Sequence, residues 1–135
     1  MVESHEWIVP HLNYQIYFSK PILTFWLTAL SYQALGSVGP FASRLPFAIL
    51  ASILVYAAYY TTRKISNAKA ALVAGLATAS APLLVLMTKT SCIDAAFTTF
   101  LNLGLFCSAL TIFARMKFTW IGIYLFLGLA VLTKG

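Results

Sequence analysis

Four apolar runs, residues 41–62, 70–88, 92–114 and 119–134, separated only by short polar or basic turns, leave this chain one choice of solvent. A helix needs roughly twenty predominantly apolar residues to cross the hydrocarbon core of a bilayer. The first three runs reach or approach that length, and the last is shorter. With 61% hydrophobic and 9% charged residues and a mean hydropathy of +0.87, the chain has too few charges to cover its apolar surface in water. Soluble domains carry about 25% charged residues. The expected class is an all-α membrane protein of about four transmembrane helices.

The net charge of +6 sets nine Lys and Arg against Glu3, Glu6 and Asp94. In a membrane chain such an excess fixes orientation and meets anionic headgroups. It forms no basic stripe of the kind nucleic acid requires, so membrane lipids and not nucleic acid are the expected surroundings. Arg63, Lys64, Lys69, Arg115 and Lys117 lie in two short loops predicted to share one side, which positive loop charge makes the cytoplasmic one. Lys20, Arg44, Lys89 and Lys134 then fall on the outer side, with the N-terminal segment and Asp94.

The N-terminal stretch from Trp7 to Pro21 is the one irregular, polar and aromatic part of the chain. Trp7, Tyr14, Tyr17 and Phe18 suit a membrane–water interface, where an amphipathic ring buries its face and keeps its polar edge wet. The first twenty residues lack the basic start and apolar core of a signal peptide. Residues 1–40 are expected to form an outer-face loop holding a juxtamembrane helix over residues 21–35. Pro21 suits its first turn and Gly36 stops it. At about fifteen residues it is too short to span, so it should lie in the interface. The span at 41–62 holds Pro46 and Arg44, and the Ala- and Gly-rich span at 70–88 should kink at Pro82.

Few residues can carry chemistry. Asp94, at the start of the third span, is the only acid beyond the first six residues. A carboxylate at a membrane helix normally faces a cavity, pairs with a cation, or both. The residues leave both roles open: a catalytic or cation-positioning carboxylate, or an ion pair with Lys89 or Arg44. Lys20 and Arg44 are placed to meet a phosphate, or simply to reach headgroups. Lys134 reads as an outer helix-end anchor. Cys92 and Cys107 sit in apolar helical surroundings without a CxxC and read as small buried apolar side chains. His5 and His11 follow no ligand spacing, and the role of a divalent metal stays open. No cofactor is implied.

Taken in order, Glu6-Trp7-Ile8-Val9-Pro10-His11-Leu12-Asn13, Tyr17-Phe18-Ser19-Lys20-Pro21-Ile22, Phe25-Trp26, Ala34-Leu35-Gly36 and Ser43-Arg44-Leu45-Pro46 resemble the first outer loop of polytopic lipid-linked-sugar glycosyltransferases. These are the bacterial aminoarabinose transferases acting on lipid A and the related protein mannosyltransferases. Asp94 and Val131-Leu132-Thr133-Lys134-Gly135 match the same pattern in the same order. The resemblance implies a partial C-type glycosyltransferase bundle in a bacterial inner membrane, with residues 1–40 on the periplasmic side. It implies transfer of a sugar from a polyprenyl-phosphate donor to a lipid, glycan or protein acceptor, usually with inversion.

In that frame Lys20 and Arg44 would bind the donor phosphate and Asp94 would be a catalytic carboxylate. Trp7, His11, Tyr17 and Lys134 would form the cavity rim. The likeness is to the N-terminal third of such a protein, a single incomplete domain without the family's first helix and the outer acidic motif after it. The isolated chain is therefore expected to be inactive. The alternative reading is a non-catalytic polytopic subunit that binds polyprenyl-phosphate or a partner chain.

Overall fold

The computed structural model describes the backbone of residues 11–12 and 15–16, and residues 22–134 in full. Two short strands, β1 (His11–Leu12) and β2 (Gln15–Ile16), pair antiparallel with His11 opposite Ile16. Six helices follow: α1 (Leu23–Leu35), α2 (Pro40–Ile65), α3 (Ala68–Ala79), α4 (Pro82–Lys89), α5 (Ile93–Phe113) and α6 (Thr119–Lys134). The protein is an all-α membrane protein.

Helix α1 stops at Gly36, whose φ of +61° is a left-handed cap that glycine adopts without strain. The chain turns through an extended Gly39 into Pro40, whose missing N–H costs nothing in a first turn. Helix α2 runs 26 residues, about 39 Å at 1.5 Å per residue. Pro46 lies within it and cannot donate to the carbonyl of Ala42. Ser31 on α1 supplies the donor instead: its hydroxyl reaches the Ala42 oxygen at 2.6 Å, with both residues buried. The proline thus creates the acceptor on which α1 docks.

Helices α2 and α5 are each long and apolar enough to cross a membrane. The run expected as a span at 70–88 with a kink at Pro82 forms two helices, α3 and α4, bent by 46° at a break that ends on Pro82. Pro82 has no N–H for the Thr78 carbonyl, which accepts from Ala81 at 3.3 Å. Helix α6 is apolar but only 16 residues, about 24 Å long and short of a roughly 30 Å core. Large apolar side chains such as Phe41, Leu76, Phe113, Phe118 and Tyr124 face outward, as they do where lipid and not water is the solvent.

Packing is closest between α5 and α6. A Cβ placed on Gly122 would lie 2.7 Å from Cys107 Sγ, and one on Gly104 would lie 3.0 Å from Leu127 Cδ2. Small residues here let the two backbones approach, as membrane helices require when apolar attraction between them is weak. The core joins Phe47 and Leu50 of α2, Ala95, Ala96, Phe100 and Leu103 of α5, and Ala130 of α6, with Leu23 and Leu27 of α1 against it. It lies just beneath the end of the bundle where α2 and α5 begin and α6 finishes.

Candidate functional site

The up-and-down order sorts the polar residues by end. Arg44, Lys89, Ser91, Asp94 and Lys134 lie where α2 and α5 start and α4 and α6 stop, whereas Arg63, Lys64, Lys69, Arg115 and Lys117 lie at the opposite end.

Asp94 projects from the first turn of α5, where the positive end of the helix dipole favours a carboxylate. Buried Ala95 and Ala96 seat that turn, and buried Ala130 and Thr133 seat the last turn of α6. The Thr133 hydroxyl is turned inward and donates to the Ala130 carbonyl at 2.6 Å. Lys134 is thereby left facing Asp94, and its Nζ donates to Asp94 Oδ1 at 2.6 Å. The same ammonium stands 6.0 Å over the ring of Phe97, one turn along α5 from Asp94. The Cys92 thiol approaches the other carboxylate oxygen, Oδ2, at 3.7 Å.

The ion pair alternative for Asp94 is thus corrected in its partner: it is Lys134, not Lys89 or Arg44. Lys134 is more than an anchor to the interface, and Cys92 is not merely an apolar filler. Both members of the pair keep solvent access, at 37% for Asp94 and 57% for Lys134. So exposed a pair adds little to folding free energy. Its effect is to hold a carboxylate and an ammonium together at the surface of the bundle.

Arg44 lies elsewhere on the same end. It lines an open groove of about 390 Å³ together with Tyr32, Ser43, Lys89 and Ser91. The wall is fixed by Ser91, whose hydroxyl donates to the Ser43 carbonyl at 3.2 Å across 48 residues of sequence. Ser91 has a φ of +51°, a left-handed conformation that a side chain makes costly. Of the other residues expected in the site, Trp7, Tyr17 and Lys20 lie outside the described residues, and His11 is described only as backbone in β1. Among the described residues, no three of His, Cys, Asp or Glu come together as a metal site would need.

The sequence profile of the dolichyl-phosphate-mannose-protein mannosyltransferase family matches residues 19–135. The chain belongs to that family. It is also similar, at 29% identity over its whole length, to the undecaprenyl phosphate-alpha-4-amino-4-deoxy-L-arabinose arabinosyl transferase 2 of Pseudomonas fluorescens. The corresponding transferases of Yersinia enterocolitica and Pseudomonas aeruginosa are 30% and 28% identical, again across all of this chain. The chain covers 24% of the first of these relatives and 25% of the other two, so it spans about a quarter of their length. No solved structure matches it.

The family's resemblance was carried by named residues, and two of them, Asp94 and Lys134, meet in space. Sequence reasoning missed Lys89, Ser91 and Tyr32 as companions of Arg44, since each belongs to a different helix or turn. Phe97 could have been found, because a residue three positions after Asp94 shares its helix face.

Proposed function

We infer that this chain is the part of a lipid-linked-sugar glycosyltransferase that presents a carboxylate and several cations at the outer face of a bacterial inner membrane. The reaction is transfer of a sugar from a polyprenyl-phosphate donor to a lipid, glycan or protein acceptor. The observation that carries the reading is the meeting of Asp94 and Lys134 at 2.6 Å, on the bundle end that also holds Arg44, within a chain matched by the family profile over residues 19–135.

The chemistry needs those groups together. An acceptor hydroxyl attacks the anomeric carbon of the sugar, and the bond from that carbon to the phosphate oxygen breaks. The phosphate leaves with the electron pair, and the hydroxyl proton passes to a base. Asp94 is assigned as the carboxylate that takes or orients that proton, a role that typically contributes about 10² to 10⁴ in rate. Lys134, at 2.6 Å, holds it aimed. Lys20 and Arg44 are assigned to the negative charge that grows on the departing phosphate. Trp7, His11 and Tyr17 would line the rim, where aromatic residues suit the headgroup layer.

The test is turnover of an undecaprenyl-phosphate-linked sugar by the protein carrying this chain, reconstituted in vesicles. Lys20→Ala is expected to reduce donor use by tenfold or more while the thermal melting point stays within a few degrees. Wild-type turnover in Lys20→Ala would remove the phosphate role. The membrane side is read separately by labelling single cysteines placed at Lys69 and Lys89 in a background without Cys92 and Cys107. The cysteine at position 89 should react with an impermeant reagent in intact cells and the one at position 69 should not; the reverse result would invert the topology.

A further inference from the structure

We propose that Cys92 is a positioning residue for the Asp94 carboxylate: its thiol holds one oxygen from the α4–α5 turn while Lys134 holds the other from α6. What the carboxylate is positioned for rests on the function proposed above; the contact itself rests on the geometry of the turn.

The backbone sets where the thiol starts. Cys92 is the N-cap of α5, with φ −75° and ψ 137°. Its N–H returns to the Met87 carbonyl in α4 at 3.1 Å, and its own carbonyl accepts from the Ala95 N–H in α5 at 3.0 Å. One residue thus closes one helix and opens the next, with its donor and its acceptor both tied. Buried Ala95 and Ala96 seat the turn that follows.

The residue type decides what the side chain does. An N-cap favours Ser, Thr, Asp or Asn, whose oxygen accepts from an N–H of the first helical turn. Cys92 makes no such bond. A thiol is a weak acceptor and a weak donor, so it does not compete for those N–H groups, and its proton is left for another acceptor. That acceptor is Asp94 Oδ2, 3.7 Å from Sγ. A local preference given up at a helix start is expected where a site uses the side chain.

The two holds on the carboxylate differ in stiffness. Lys134 reaches Oδ1 at 2.6 Å, but it does so on a flexible four-carbon stem that is 57% exposed. The torsion that turns a carboxylate is broad, so a bond to Oδ1 alone does not set where Oδ2 points. Cys92 adds a second point, on a side chain with a single torsion and a tied backbone. A base must meet the acceptor hydroxyl within hydrogen-bond reach, and a misplacement of about 1 Å can cost about 10²-fold in rate. The weaker of the two contacts is thus the one that fixes the plane of the carboxylate.

Three substitutions in the protein carrying this chain separate a donor from a filler. Cys92→Ala removes both volume and proton, Cys92→Val keeps volume without the proton, and Cys92→Ser keeps a donor in less volume. Positioning predicts that Ala and Val each lower kcat for sugar transfer by about threefold to tenfold, with KM within about twofold, and that Ser restores most of the loss. In an Asp94→Asn background, Cys92→Ala should then have no further effect. Full activity in Val with equal losses in Ser and Ala would make Cys92 a filler and overturn the proposal. An undiminished loss in the Asp94→Asn background would overturn its action through Asp94. The contact is read apart from activity by the infrared S–H stretch of Cys92, assigned by its disappearance in Cys92→Ser. Asp94→Ala removes the acceptor and should move that band to higher frequency; an unmoved band overturns the contact whatever the turnover. A band that moves in a protein whose Asp94→Asn variant transfers sugar at the wild-type rate keeps the contact, and overturns both the base role of Asp94 and the positioning built on it.

Discussion

Helix α5 has a left-handed residue just outside each end, and the two turns make opposite use of it. Ser91, before α5, has φ +51°, and Arg115, after it, has φ +52°. Neither is glycine, so each carries a backbone cost that its surroundings must offset. Around Arg115 the reason is local. The N–H groups of Ala114 and Met116 both return to the Leu110 carbonyl, at 3.2 and 3.3 Å, which is how a helix closes with a left-handed residue. Thr119, the first residue of α6, ties that helix to the turn by donating its hydroxyl to the Met116 carbonyl at 2.7 Å. Around Ser91 the reason is distant, since the hydroxyl bridges to α2 and the turn walls a groove with Arg44 and Lys89. The same dihedral thus reverses the chain at one end and assembles three helices at the other. Charge separates the two ends only modestly, since among the described residues one has five basic residues, Arg63, Lys64, Lys69, Arg115 and Lys117, and the other has three, Arg44, Lys89 and Lys134.

The comparison breaks first on function. Asp94→Asn, three residues beyond Ser91, should lower sugar transfer by about 10²-fold or more in the protein carrying this chain. Arg115→Gln at the other end should leave it within about twofold. Unchanged kinetics in Asp94→Asn with a lowered melting point would make the Asp94–Lys134 pair structural only. The next effect concerns what keeps the Arg115 end closed. Gly122→Ala puts a methyl 2.7 Å from Cys107 Sγ and should destabilise by about 1–3 kcal/mol, seen as a lower melting point in detergent. Gly128→Ala meets nothing within 4 Å and should cost nothing, as a control on the same helix.

Smaller changes sharpen the contrast between the two turns. Ser91→Ala removes the bond to the Ser43 carbonyl and should cost about 1 kcal/mol. Arg115→Gly keeps every backbone bond of its turn and relieves the left-handed side chain, so it should gain about 0.5 to 1 kcal/mol. A gain of the same size in Ser91→Gly, which also loses the bond to the Ser43 carbonyl, would erase the distinction drawn between them.

The membrane class was legible because long apolar runs with few charges have one solvent, and the break at Pro82 because a proline inside such a run cannot donate to the preceding turn. The size of the bend was not legible, since it depends on how α3 and α4 each pack on α2. Asp94 was identifiable as an isolated carboxylate, yet its partner was not. Lys134 lies 40 residues away, and which turn of α6 reaches Asp94 depends on how Gly104 and Gly122 seat the two helices. Arg44 was singled out from its place after a Gly-Pro turn. Lys89 was named only as a possible partner of Asp94, because only the broken course of α3 and α4 brings it to the groove of Arg44.

The Ser31 hydroxyl on the Ala42 carbonyl makes two distant positions answerable to each other. Pro46 is what leaves that oxygen without its helical donor, so each of the two residues sets the tolerance of the other. Ser31→Ala alone strands a buried carbonyl, at about 1–3 kcal/mol. Made together with Pro46→Ala, which returns an N–H to position 46, the same change should cost much less, and a double-mutant cycle reads the difference as coupling. Substitutions at positions 31 and 46 are therefore expected to be inherited in pairs, so that neither site drifts on its own.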